Sequence, residues 1–188
     1  MKILSILGSP KTKGKTSQVL TAVEEKLKLK GHTVNRIHLK EIQINPCLGC
    51  LACTQSTNSR ECVQKDSIQE LFDEMVSSDT ILYAAPLYGW GVNSAMKALF
   101  DRHMPLVKGA FTSEHFSFLE NKRVSLLMTC LGPDEKPNTD LVKEFFSRFG
   151  SYLKAKEAHT NVVPFSMSPT FAERAETTAD KIADELGQ

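Results

Sequence analysis

Apolar residues fall into five short runs, at residues 2–7, 33–39, 80–85, 123–130 and 159–164. Most are β-branched or Leu-rich and apolar at consecutive positions, the pattern of strands covered on both faces. Between and after them, apolar residues recur at helical spacing over 16–30, 67–78, 92–102, 137–153 and 170–186. Gly31 is placed to stop the first helix, and Asp66 to N-cap the second, with Gln69 three positions later. Strand and helix alternating in this order predict an α/β fold with a parallel, doubly wound sheet. No repeat, low-complexity tract or linker interrupts the pattern, so residues 1–188 read as a single domain. Two insertions, 41–65 and 103–121, are longer than plain connections need, and loops of that length are usually functional or interfacial.

The turn after the first strand carries the sharpest chemistry. Gly8-Ser9-Pro10-Lys11-Thr12-Lys13-Gly14-Lys15-Thr16-Ser17 joins the strand to the N-terminus of the first helix. First-turn N–H groups lack intrahelical partners and the macrodipole adds partial positive charge, so such a turn seats phosphate. Ser9, Thr12, Thr16 and Ser17 add hydroxyls, and Lys11, Lys13 and Lys15 add charge. Gly14-Lys15-Thr16 looks like the end of a Walker A loop, but five residues separate Gly8 from Gly14 where that motif has four. No apolar strand ends in an Asp suited to magnesium, so nucleotide hydrolysis ranks low.

In open α/β sheets, ligands lie outside the carboxyl ends of the strands at the switch point of strand order. The turns after residues 7, 85 and 130 all open there. Pro86, Leu87, Tyr88, Gly89 and Trp90 form a loop whose glycines let backbone approach a flat ligand. Thr129, Cys130 and Gly132 form the third turn. A planar ligand with a phosphate tail accounts for all three, and FMN has that shape.

These motifs resemble the flavodoxin-like NADPH-dependent FMN reductases, including their iron–sulfur flavoprotein branch. Ile6-Leu7-Gly8-Ser9-Pro10-Lys11 with Gly14-Lys15-Thr16 resembles the family's phosphate loop, with Lys11 and Lys15 where Arg and Asn are more usual. Pro86-Leu87-Tyr88-Gly89-Trp90 followed by Ala95 to Arg102 resembles its ring-binding loop and following helix. Cys47-Leu48-Gly49-Cys50-Leu51-Ala52-Cys53, then Cys62-Val63-Gln64-Lys65-Asp66, resembles its cysteine loop. The resemblance spans almost the whole chain. It implies a three-layer fold with a five-stranded parallel sheet in the flavodoxin order 2-1-3-4-5 and FMN across its carboxyl edge. It also implies a homodimer or homotetramer with the flavin near the interface. Phe111, His115, Phe116 and Phe118 in the second insertion are then expected over the flavin or against another subunit.

Cys47, Cys50, Cys53 and Cys62 are separated by two, two and eight residues. Three thiolates at three-residue intervals can wrap one corner of a 4Fe–4S cube, the fourth arriving from further along. Zinc sites more often use two separated pairs. Iron–sulfur flavoproteins share the compact start but usually have a shorter final gap, and reduced thiols beside the flavin are the other reading. Cys130 and the five histidines read as packing or surface residues.

Composition narrows the setting. Of 188 residues, 24% are charged and 41% apolar, as in ordinary globular chains. A net charge of +1 gives no case for nucleic acid or a membrane surface. The crowded cysteines and the immediate first strand predict a cytoplasmic protein. The expected activity is oxidoreduction: FMN takes a hydride from NAD(P)H and passes electrons to a quinone, flavin, metal or similar small acceptor. No side chain is expected to act as nucleophile or base, since the flavin carries the chemistry. The alternative is an FMN electron carrier without a nicotinamide site.

Overall fold

The computed structural model describes residues 1–187. Strands β1 (Lys2–Leu7), β2 (Thr33–His38), β3 (Thr80–Tyr88), β7 (Arg123–Thr129) and β8 (Glu157–Val163) form a parallel sheet in the order β2-β1-β3-β7-β8. Helices α1 (Lys15–Leu29) and α5 (Phe171–Leu186) cover one face, and α2 (Ile68–Ser77), α3 (Ser94–Asp101) and α4 (Asp140–Tyr152) the other. This is the three-layer, doubly wound flavodoxin-like arrangement in the expected order. Strand periodicity explains the two cores. Ile3 and Leu7 face α1 and α5 with Leu82, Leu127 and Ile182, whereas Leu4 and Ile6 face the opposite layer with Ile81, Leu126 and Phe146. No helix among the described residues is long and apolar enough to cross a membrane.

Gly31 ends α1 as expected. At φ +83° it donates to Lys28 O at 2.9 Å, while His32 N donates to Leu27 O at 3.1 Å. This is a Schellman closure that only a left-handed residue permits cheaply.

Asp66 behaves differently from the expected N-cap. Ser67 holds the cap position of α2, and Asp66 Oδ1 accepts a 3.3 Å bond from Ile68 N. The carboxylate mainly serves Arg102, whose Nη1 and Nη2 reach Asp66 Oδ2 and Oδ1 at 2.8 and 3.1 Å. Both side chains are fully buried, at 1% and 0% exposure. The pair closes the neck of the cysteine insertion: Arg102 Nη1 also binds Asn45 O, and Asn45 N binds Asp66 Oδ2, each at 2.8 Å.

The first insertion carries one short 3-10 turn at Ala52–Thr54, whereas the second is more than a plain loop. The second holds a two-stranded ribbon of β5 (Val107–Lys108) and β6 (Phe116–Ser117). It packs on its own chain: Phe116 and Phe118 meet edge-on at 5.0 Å, Arg60 lies 5.5 Å over Phe118, and His115 Nε2 donates to Tyr152 O. Phe111 is 98% exposed at φ +66°.

Beneath α3 lies a buried polar pair. His103 Nδ1 donates to Leu99 O at 2.8 Å, which leaves Nε2 to accept from the Tyr83 hydroxyl at 3.0 Å. Burial lowers the His103 imidazole to about 4, against weaker support from Leu99 O, while the unfolded chain takes up the proton below pH ~6.5. Its stabilising contribution is therefore complete above about pH 6.5 and lost as pH falls toward 4. Urea melts at pH 7 and pH 5 should show this slope, and His103→Phe should flatten it.

Candidate active site

Gly8 leaves β1 by donating to Ala84 O at 2.8 Å. A Cβ on Gly8 would come within 2.9 Å of Met96 Cε and 3.2 Å of Asn93 Oδ1. Asn93, buried just before α3, donates from Nδ2 to Gly8 O at 2.7 Å, so one side chain ties the first turn to the start of α3. Ser9 is also buried; its hydroxyl accepts from Lys11 N at 3.2 Å and its carbonyl accepts from His38 Nε2 at 2.8 Å. These bonds shape the turn from both sides.

The chain then enters α1 through Gly14, which offers no side-chain cap. The N–H groups of Lys15, Thr16 and Ser17 have no acceptor among the described residues. Thr16 and Ser17 are buried at this terminus, and Thr16 Oγ1 meets Thr129 Oγ1 at 2.7 Å, joining α1 to the end of β7. Lys11 is exposed at the turn. Lys15 Nζ instead lies 4.7 Å over the Phe171 ring, so its charge stands beside the terminus rather than within the turn.

The second loop is a tight hairpin. Beyond the sheet, β3 pairs with β4 (Gly91–Val92), matching Leu87 with Val92 and Tyr88 with Gly91. Gly89 and Trp90 make the two-residue turn with φ of +53° and +61°. Two positive φ values define the twist-matched primed turn, but a tryptophan in that conformation costs about 1–2 kcal/mol. Trp90 is nevertheless 60% exposed, and Tyr88 is 54% exposed. Strain spent on presenting an aromatic to solvent points to a ligand surface. Register places Pro86 directly beside Thr129, so the second and third loops leave the sheet together.

The third loop is pinned from outside by Phe165 N to Gly132 O at 3.2 Å and Ser166 N to Cys130 O at 2.8 Å. Asn138 Nδ2 holds it from inside through Pro133 O at 2.6 Å. The N–H groups of Leu131 and Gly132 have no acceptor among the described residues. A cavity of about 250 Å³ opens between the second and third loops, walled by Leu87, Gly89 and Trp90 on one side and Cys130, Gly132 and Asn138 on the other. Cys130, read from sequence as core, is buried yet forms part of this wall.

The four cysteines occupy a different place. All four line one small apolar cavity of about 90 Å³ with Leu48, Leu51 and Arg102, and this cavity shares no lining residue with the first. Cys47 and Cys50 are exposed, Cys53 and Cys62 half-buried. Left-handed turns at Gly49 and Leu51 wrap the loop. Burial pushes the Cys53 thiol up, with the Lys108 ammonium opposing it. The Asp66–Arg102 pair anchors the insertion, and the cysteine cavity is lined in addition by Asp101, Arg102, Met104 and Pro105 at the end of α3. Among the described residues no three ligating side chains converge as one metal ion requires. A four-iron cube spreads its thiolates over four corners, further apart than a single tetrahedral zinc would hold them.

The profile of the NADPH-dependent FMN reductases matches residues 1–167. The chain belongs to that family. Among curated relatives, an iron–sulfur flavoprotein of Archaeoglobus fulgidus is 36% identical over 116 residues, 59% of this chain and 51% of that protein. The chain spans about half the length of the curated relatives it matches. Two solved structures share the fold. An FMN-dependent NADH-azoreductase of Bacillus anthracis in complex with FMN has a TM-score of 0.74 at 16% identity, covering 100% of this chain and 99% of that one. An NAD(P)H:quinone oxidoreductase of Methanothermobacter marburgensis has a TM-score of 0.71 at 15% identity, covering 100% and 96%.

Within this family frame, the turns expected from sequence converge. Ser9, Thr16 and Ser17 gather at the α1 terminus, and Leu87, Gly89, Trp90 and Gly132 around the cavity. Sequence reasoning missed Asn93, Asn138 and His38. An Asn immediately before α3 is a recognisable cap signal, but nothing local shows that its amide reaches back to Gly8.

Proposed function

We propose that this chain is an FMN-dependent oxidoreductase that takes a hydride from NAD(P)H and passes electrons to a small acceptor of the quinone type. The observation that carries this reading is the pair of unpartnered N–H clusters at one sheet edge. Three lie at the α1 terminus beside buried Thr16 and Ser17, and two belong to Leu131 and Gly132, which line the cavity between the second and third loops. The first suits a phosphate. The second suits negative charge developing on a heteroaromatic ring, which fixed backbone dipoles stabilise without reorganising. When bound, FMN supplies the hydride chemistry. Ser9, Thr16 and Ser17 hold its phosphate, with Lys11 and Lys15 adding positive charge nearby. Pro86, Leu87, Tyr88, Gly89 and Trp90 form the ring wall facing Thr129 and Gly132. Family membership and the FMN-bound structural relative support the reading.

We also assign a 4Fe–4S cluster to Cys47, Cys50, Cys53 and Cys62. Four thiols line the cavity, its remaining walls are mainly apolar, and Asp101, paired with Lys97, and Arg102 lie at its edge. The relatives named iron–sulfur flavoproteins support this assignment. The exposed Phe111 and the aromatic cavity beside it, formed with Phe145, Phe149 and Tyr152, suit a homodimer or homotetramer contact.

An electron carrier lacking a nicotinamide site is the competing function, and the near-neutral charge argues against it. Anaerobic steady-state assays with added FMN separate the two. Sustained NAD(P)H oxidation with a quinone is expected, whereas a carrier would leave NAD(P)H unconsumed.

A further inference from the structure

His38, the last residue of β2, is buried and stands opposite Leu7 in the register with β1. Its Nε2 lies 2.8 Å from Ser9 O in the phosphate turn, and its Nδ1 lies 3.5 Å from Glu41 Oε1. A carbonyl oxygen only accepts, so Nε2 carries the proton. The peptide it holds, Ser9–Pro10, differs from its neighbours because proline has no N–H. To an anion that peptide presents only a carbonyl, whose negative end repels it. The preceding peptide is held in the same way, by Asn93 Nδ2 on Gly8 O at 2.7 Å. In a trans peptide C=O and N–H point in opposite directions, so this bond aims Ser9 N–H away from Asn93. Ser9 N–H has no acceptor among the described residues, like the N–H groups of Lys15, Thr16 and Ser17. Two buried side chains thus engage two consecutive carbonyls of a turn rich in free donors.

We propose that His38 is a positioning residue for the cofactor phosphate, and that it strengthens the site's preference for FMN over riboflavin. The inference rests on the FMN reading above. With its carbonyl bound to Nε2–H, the Ser9–Pro10 peptide is kept from swinging its negative end toward the phosphate. Loss of that bond leaves a buried carbonyl without a partner in the turn that seats the anion. His38 is absent from the walls of the ring cavity, so its effect falls on the phosphate and not on the ring. Asn93 lacks this separation, because it directly follows β4 of the ring hairpin.

Three variants of the full chain isolate the donor. His38→Gln carries an amide nitrogen that can reach the place of Nε2, and His38→Leu has no donor. His38→Asn, polar but one carbon too short, covers a failure of the Leu variant to fold. Each is stripped of flavin and titrated separately with FMN and with riboflavin, while urea melts report folding. The Leu and Asn variants should lose about tenfold in FMN affinity and keep riboflavin affinity within about twofold. The Gln variant should recover most of the loss. A folded Leu or Asn variant with the parental ratio of FMN to riboflavin affinity overturns the inference, whether both affinities hold or fall together. A Gln variant as weak as the Leu variant does the same, since the ring and not its donor would then hold the turn. A parent that binds riboflavin as tightly as FMN overturns the phosphate assignment itself, and this inference with it.

Discussion

Gly89→Val should yield a colourless protein that keeps its sheet. Gly89 sits at φ +53° in a two-residue turn whose other member, Trp90, is already left-handed. No neighbouring atom lies within 4 Å of a Cβ built there, so the penalty is conformational rather than steric. A left-handed L-residue costs about 1–2 kcal/mol, and branching at Cβ makes Val worse than Ala. Only the Leu87–Val92 and Tyr88–Gly91 pairs hold the hairpin, so the turn will give way before the strain is absorbed. Its collapse removes Leu87, Gly89 and Trp90 from the ring wall together. Absorbance near 450 nm should be lost while far-ultraviolet circular dichroism stays native, and Gly89→Ala should show a weaker form of the same loss. A Val variant that purifies with a full complement of FMN would make the hairpin a mere turn.

Asp66→Asn should bring the largest loss of stability. Removing one partner of a buried ion pair typically costs about 3–5 kcal/mol, because the remaining charge is left uncompensated. Here it also frees the neck of the cysteine insertion at Asn45. Burial pushes the Asp66 carboxyl up, but the Arg102 guanidinium and the Asn45 and Ile68 N–H groups together hold it below its ordinary value. The contribution is thus complete above the unfolded value of about 3.9 and lost as pH falls through the lower native one. Urea melts should show Asp66→Asn far below the parent at pH 7, with the gap narrowing in strong acid. A constant gap would mean that Asp66 acts only through its shape.

The contrast between these two sites shows what the chain discloses locally. The strands were legible because burial on both faces leaves consecutive apolar residues, and the ends of β1 and β7 fell within a residue of expectation. The phosphate turn was legible because strand, glycine-containing turn and helix start are contiguous. Asp66 was misread as a cap because its true partner lies 36 residues away and became visible only once α2 and α3 packed together. The hairpin hid for a different reason: Gly-Trp is an unusual occupant of a turn that prefers Asn-Gly. Lys15, charged and next to the phosphate seat, turned to the Phe171 ring, which sequence places 156 positions on.

The central claim is that the α1 terminus holds the phosphate of FMN. Titrating the flavin-free chain in parallel with FMN and with riboflavin, which has the same ring and no phosphate, tests it most directly. Each charge-assisted bond to the phosphate is worth about 1.5–3 kcal/mol, so FMN should bind at least about tenfold tighter. Riboflavin binding as tightly as FMN would contradict the account.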